Sequence, residues 1–313
     1  MLPAARTWHL GLDLGATNVK WAVVERDAEA WAVADRGQAP TAAADGADSV
    51  LRRMADLGAR AVAVRPEITT VGIGLPGLFD AATGIATFLP NLPPDWERRD
   101  VVGPIRERLG LPVTPVNDAR AFGLAELRLG AGRGCRTMVG LVLGTGVGGV
   151  VIVDGVVHFG HDGTAGEAGH QTLFPDGPQC TCGNRGCLEA LTRADAVAVA
   201  CGTATAEDGV AAALAGDEKA RAGIAEVGRW LGIGIANLIV VLTPDRVVLG
   251  GGVAGAGDLL LDPVRAEVRR RVHVTDLDAV EIVTADLGTW AGAIGAAVHG
   301  AERAVSRQRA TVT

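Results

Sequence analysis

The sequence contains no tyrosine, only two lysines (Lys20 and Lys219) and no stretch dense in lysine and arginine. Without tyrosine there is no phenolic acid–base chemistry, so acid, base and ligand roles fall to other side chains. With 29 Lys plus Arg against 36 Asp plus Glu, the net charge is −7. That balance argues against nucleic acid or an anionic membrane as the main partner and favours small molecules. Long apolar runs are scarce as well. The most apolar helical stretch, Leu231 to Leu242, is bounded by Arg229 and Pro244 and is too short to span a bilayer, so no membrane partner is expected. No uninterrupted apolar core or cleavage site precedes Asp13, so no secretory signal is expected and the cytoplasm is the expected compartment. In a reducing compartment five cysteines do not suggest a disulfide framework; a cluster of them reads as metal ligands or inert core.

Glycine is what the chain has in excess: 44 of 313 residues, about twice ordinary usage. At 48% hydrophobic residues the chain can bury a core in one large or two ordinary domains. The glycines cluster at Gly15, Gly72 to Gly77, Gly144 to Gly149 and Gly250 to Gly252. Trp8 to Leu14 and Val19 to Val24 read as two strands joined by a polar turn, Gly15 to Asn18. Thr137 to Leu143 and Val150 to Val153 repeat the arrangement around Gly144-Thr145-Gly146, which reads as an internal duplication. Backbone N–H groups and a Thr hydroxyl, with no bulky side chain in the way, let such a turn approach phosphate oxygens, and two turns could clamp one polyphosphate. A plain tight hairpin explains either turn taken singly. Neither fits G-x-x-x-x-G-K-[ST], and strands follow where a dinucleotide fingerprint needs a helix.

Asp13, at the end of the first strand, is suitably placed to hold Mg²⁺, which takes one or two carboxylates plus substrate phosphates. Asp118 ends the strand from Pro112 and opens a helix through Leu129, so it is either a helix cap, a base that takes a proton from a substrate hydroxyl, or both. Gly250 to Gly252 follow an apolar strand and precede a helix. Cys180-x-Cys182-x4-Cys187, with His170 ten residues upstream, forms a Cys₃His set suited to tetrahedral Zn²⁺. All four ligands come from protein, so the site is closed and the metal structural. Glu167 and His170 stand three apart, which puts them on one face of a helical turn, and Glu189 follows the last of these thiols by two residues. Cys135 and Cys201 read as core thiols.

GLDLGATN, VNDARAFGLAE, LGTGVGGVVIVDG, GTAGEAGH, CTCGNRGCLE and VVLGGGV, in this order, resemble the ROK family of sugar kinases, repressors and uncharacterised reading frames. The resemblance spans roughly Leu10 to Ala297. It implies an α/β fold, the two-lobed actin-like (ribonuclease-H-like) sugar kinase fold, with the duplicated hairpins as phosphate clamp. The expected division is a small lobe, 1–117, rejoined by a C-terminal helix at 290–302; a large lobe with the zinc knuckle, 118–289; and a disordered tail, 303–313.

The resemblance also implies site roles. Asp118 is the base; Asn91, Asn117, Glu167, His170 and Glu189 hold the sugar. Asp13, Gly15, Thr17, Asn18, Gly144, Thr145, Gly146, Gly250, Gly251 and Gly252 hold ATP, with Mg²⁺ on Asp13. His170, Cys180, Cys182 and Cys187 hold Zn²⁺, and the protein is a homodimer or homotetramer. The reaction it implies is transfer from ATP to the 6-hydroxyl of a hexose, glucose first, with an amino sugar or C7-cyclitol as the alternative acceptor. A non-catalytic sugar-binding regulator is a second alternative. Family repressors carry a helix-turn-helix domain ahead of the first glycine turn, and about nine residues precede Leu10 here, which favours the enzyme branch and no nucleic-acid partner. Three positions depart from the family pattern: Ala16 and Asn18 stand where Gly and Lys are usual, and Arg120 where Asn is usual.

Overall fold

Twice along the chain an apolar run, a glycine turn and a second apolar run fold into the same object. Residues 6–28, 30–89 and 92–310 are described by a computed structural model, in which the chain divides into two units: Met1–Leu129 with Thr289–Thr313, and Gly130–Gly288.

In the first unit β1 (Thr7–Leu14), β2 (Asn18–Asp27) and β3 (Ala30–Pro40) form an antiparallel meander. Helix α1 (Ala47–Val64) follows, then β4 (Ile68–Leu75), the small ribbon β5 (Leu78–Phe79) and β6 (Ala86–Phe88), α2 (Gly103–Leu109), β7 (Val113–Asn117) and α3 (Asp118–Leu129). The five-stranded sheet has the order β3-β2-β1-β4-β7, with β1, β4 and β7 parallel. Side chains alternate across a strand. Leu10, Leu12 and Leu14 therefore enter one core with Val50, Leu51 and Met54 of α1, whose buried positions recur at helical spacing.

The second unit repeats the plan. Strands β8 (Met138–Leu143), β9 (Val147–Val153) and β10 (Val156–Val157) form the meander. After the irregular stretch come α4 (Leu188–Thr192), α5 (Ala194–Cys201), α6 (Ala206–Ala215), α7 (Glu218–Leu242), β11 (Arg246–Gly250), α8 (Asp258–Arg271) and β12 (Glu281–Thr284). The order β10-β9-β8-β11-β12, with β8, β11 and β12 parallel, matches the first sheet strand for strand. Helix α6 starts where Thr205 accepts the Asp208 N–H, and α7 where Asp217 accepts the Ala220 N–H. By length and composition α7 could cross a membrane, but half of its apolar window is buried in the unit, where it packs on α5, α6 and α8. Ile224, Val227, Leu231, Ile235 and Ile239 are all at most 1% exposed, each worth about 1.5–3 kcal/mol of burial.

The last helix, α9 (Ala291–Ala310), returns to the first unit and lies on β1, β4 and α3. It comes close enough to exclude any side chain: a Cβ on Gly72 of β4 would stand 1.7 Å from the Ala296 carbonyl oxygen, and one on Gly295 1.7 Å from that of Ala121. Two expected boundaries move as a result. Helix α3, expected to open the second lobe, belongs to the first unit, because Val116, Ala121 and Ala296 close a buried cluster between β7, α3 and α9. The expected tail from residue 303 is instead helical to Ala310, supported by a 2.8 Å ion pair of Arg128 with Glu302 and a hydrogen bond from the Ser306 hydroxyl to the Glu302 carbonyl. Gly72, the first of the Gly72 to Gly77 cluster, serves helix packing.

Candidate active site

Parallel strands of a twisted sheet end together, so whatever follows them is gathered at one edge. In the first unit Asp13 pairs in register with Gly74, and Leu75 with Asn117, which brings Asp13, the Pro76-Gly77 turn and Asn117-Asp118 to the C-terminal ends of three neighbouring strands. Asp13 is held in a slot between two glycines. A Cβ on Gly74 would lie 3.0 Å from its Oδ1, and one on Gly292 of α9 2.5 Å from its Oδ2. Burial raises the Asp13 carboxyl from 3.8 to about 7; the Asp118 carboxylate pushes in the same direction and Lys20 opposes both. A cation bound between the carboxylates would reverse that balance.

Asp118 is exposed at the first position of α3, where the helix dipole favours a carboxylate. Its Oδ1 accepts the Ala119 N–H at 2.8 Å. The longer-range cap is Asn117, whose Oδ1 accepts from the N–H groups of Ala119 (3.0 Å) and Arg120 (3.4 Å). The same oxygen accepts from Arg120 Nη1 at 2.9 Å, and the Asn117 amide nitrogen donates to the Gly77 carbonyl at 3.2 Å. Arg120 is 2% exposed. The arginine that departs from the family pattern therefore grips the residue before Asp118 and sets which way its amide points. Asn91 lies outside the described residues.

The turn between β1 and β2 is closed by the Gly15 N–H on the Asn18 carbonyl (3.1 Å) and buttressed by Thr41, whose hydroxyl donates to the Gly15 carbonyl at 2.6 Å. Ala16 and Thr17 stay exposed. In the second unit the turn between β8 and β9 closes in the same manner, Gly144 N–H to Gly146 carbonyl at 2.9 Å, with Thr145 exposed. Gly250 pairs with Val142 in parallel register, so Gly251 and Gly252, both exposed, emerge beside this turn. Gly251 has φ +88°, and a Cβ there would stand 2.2 Å from the Leu143 carbonyl oxygen, so only glycine fits where the two loops touch.

Glu167 precedes a 3₁₀ turn, Ala168–His170, and its carbonyl accepts the His170 N–H at 3.0 Å. Both side chains are half-buried. The ligand atoms of His170, Cys180, Cys182 and Cys187 all lie within 4.8 Å of one another. His170 Nδ1 is 3.7 Å from Cys180 Sγ, and the sulfurs of Cys182 and Cys187 are 3.7 Å apart. Zn–S bonds of about 2.3 Å at tetrahedral angles put sulfurs just under 4 Å apart, so this donor set fits the metal. Burial first, then the neighbouring thiols, push Cys187 up to about 12; thiolate character there needs a cation to hold it. Cys201 is a core thiol, with its S–H toward the Ala220 carbonyl, and Cys135 is only half-buried.

Glu189 is 7% exposed, and protein groups already engage it. Its Oε2 accepts the Val147 N–H at 2.9 Å; its Oε1 accepts the Thr181 hydroxyl at 2.9 Å and the Cys180 thiol at 3.4 Å. The sequence reading missed Thr181, Thr41 and Gly292. For Gly292 a signal was present in the small-residue spacing of Ala291-Gly292-Ala293-Ile294-Gly295; for the hydroxyls there was none.

A duplicated five-stranded sheet with glycine turns at its strand ends, a carboxylate pair in one unit and a Cys₃His cluster in the other define an ATP-dependent sugar kinase of the two-lobed actin-like class, and the comparisons agree. The ROK family matches residues 9–301, and the chain belongs to that family. The glucokinase of Thermotoga maritima is 35% identical over 307 residues, covering 92% of this chain and 95% of that protein. The structure of the ROK hexokinase of Thermus thermophilus superposes with TM-score 0.81 at 33% identity, covering 96% of this chain and 100% of that one. The ROK family glucokinase of Streptomyces griseus, in complex with glucose and AMPPNP, gives 0.76 at 30% identity, covering 94% and 99%.

Proposed function

We propose that the protein phosphorylates glucose at its 6-hydroxyl with ATP. The observation that carries this reading is the exposed Asp118 at the start of α3, beside Asn117 and within the electrostatic reach of Asp13. Phosphoryl transfer needs positioned reactants, neutralised phosphate charge and a base for the attacking hydroxyl. Asp118 takes that proton. Asn117, Glu167, His170 and Glu189 hold ring hydroxyls, with Asn91 as a further contact. The turns at Gly15-Ala16-Thr17-Asn18 and Gly144-Thr145-Gly146 offer N–H groups and hydroxyls to the phosphates, and Gly250-Gly251-Gly252 leave room for adenosine. Asp13 holds Mg²⁺, which neutralises phosphate charge when bound. His170, Cys180, Cys182 and Cys187 hold Zn²⁺, which orders the knuckle and leaves the second ring nitrogen of His170 free to face a hydroxyl.

An amino sugar or a cyclitol of similar hydroxyl pattern is the alternative acceptor, favoured by one observation: Arg120 orients Asn117 where the family pattern has Asn. A coupled ADP-release screen over glucose, other hexoses, amino sugars and cyclitols decides between them. Glucose should give the highest kcat/KM; a cyclitol or amino sugar giving more overturns the assignment.

A further inference from the structure

We propose that Thr181 is a positioning residue: it fixes the carboxylate of Glu189, and through it the glycine turn at 143–147. Glu189 sits in the first turn of α4, just after Cys187, and reaches out of the knuckle with both oxygens engaged. One oxygen takes the Val147 N–H, the first residue of β9; the other takes the Thr181 hydroxyl, both at 2.9 Å. A Cβ on Gly146 would stand 2.6 Å from Glu189 Oε2, so the carboxylate lies directly against the turn. On the other side the Ala194 N–H donates to the Gly144 carbonyl at 2.8 Å. The turn is thus tied at one end by α5 and at the other by Glu189, whose own position depends on the residue between two metal-ligand thiols. A hydrogen bond to a carboxylate is among the stronger ones, and it restricts a side chain that otherwise has three free torsions. Of the two knuckle groups that donate to Oε1, the Thr181 hydroxyl at 2.9 Å is closer than the Cys180 sulfur at 3.4 Å.

This rests on the reading that the 143–147 turn contacts the nucleotide phosphates. Because Thr181 is exposed, removing its hydroxyl should leave folding intact. Thr181→Val should weaken AMPPNP binding, measured by calorimetry, by about five-fold, the worth of one hydrogen bond. Thr181→Ser should restore it. In a Glu189→Gln background Thr181→Val should add much less than in the wild type, because the two act as one unit. Thr145→Ala tests the underlying reading separately. If Thr145→Ala weakens AMPPNP and Thr181→Val does not, the positioning role is wrong while the phosphate turn stands. If neither matters, the turn does not meet the nucleotide and the proposal falls with it. Loss of zinc from Thr181→Val would also overturn it, by tracing the effect to the metal and not to Glu189.

Discussion

The two sheets share strand order, direction and turn, yet they offer opposite chemistry at the matching edge. The first ends in carboxylates: Asp13 on β1 and Asp118 just past β7. The second has apolar Val142 and Leu143 before its turn and receives its carboxylate from outside the sheet, from Glu189 on α4. The covering helices differ too. Helix α9 approaches the first sheet through glycine and alanine at backbone contact, whereas α7 fills the second core with Leu and Ile side chains. Duplication supplies a frame, and the residues appended to it decide what each copy does. One copy gathers two carboxylates at its strand ends; the other has its glycine turn held by a carboxylate from the Cys₃His knuckle.

The largest effect expected from breaking this contrast lies at Asp118. Asp118→Asn should lower kcat by about 10²- to 10⁴-fold while sugar binding, followed by calorimetry, is retained; unchanged turnover would remove it from the reaction. Next comes Asp13. Its proton is held more tightly in the folded protein than at the ordinary 3.8, up to about 7. The ligand-free, metal-free protein should therefore lose stability as pH rises from about 4 to about 7 and level off above that range. Asp13→Asn should lack this loss and become the more stable protein at pH 8, by at most about 4 kcal/mol; parallel Tm profiles would show that the carboxyl is not perturbed.

The covering helix gives a paired test. Gly72→Ala should destabilise by about 3 kcal/mol, because its Cβ meets the α9 backbone. Gly144→Ala meets nothing within 4 Å and should stay within about 0.5 kcal/mol of wild type in urea unfolding. A similar loss in both would erase the distinction between packing and turn glycines. Chelation separates the units in another way. Metal analysis should find about one zinc per chain. Its removal should raise hydrogen exchange around 170–190 and change tryptophan fluorescence through Trp230, which stacks on Phe174 with ring centroids 6.3 Å apart, since the other five tryptophans (Trp8, Trp21, Trp31, Trp96 and Trp290) lie in the first unit.

Legibility in the sequence followed the range of the interactions. The two hairpins, the Cys₃His set and the strand-Asp-helix order at Asn117-Asp118 were readable because each is a pattern within some twenty residues. Helix α3 is legible as an element but its place in the first unit is not, since its partner α9 is more than 160 positions away and meets it through Gly295 and Ala121, which carry no signal except smallness. Asp118 was a candidate cap; the neighbouring Asn117 shares that work, a choice made by side-chain rotamers and by the Arg120 guanidinium.

Sequence by itself determined the family, the duplicated sheet and the types of groups available: carboxylates without tyrosine, thiols in one knuckle, glycines at strand ends. These are local periodicities and spacings, and they survive any arrangement of the rest. Only the tertiary structure decided that Asp13 sits in a slot between Gly74 and Gly292, that Gly72 faces a helix and not a ligand, and that Glu189 is shared between Thr181 and Val147. Each depends on contacts of a few ångströms that no sequence spacing specifies, most of them between segments dozens to hundreds of residues apart, set by how the helices close on the two sheets.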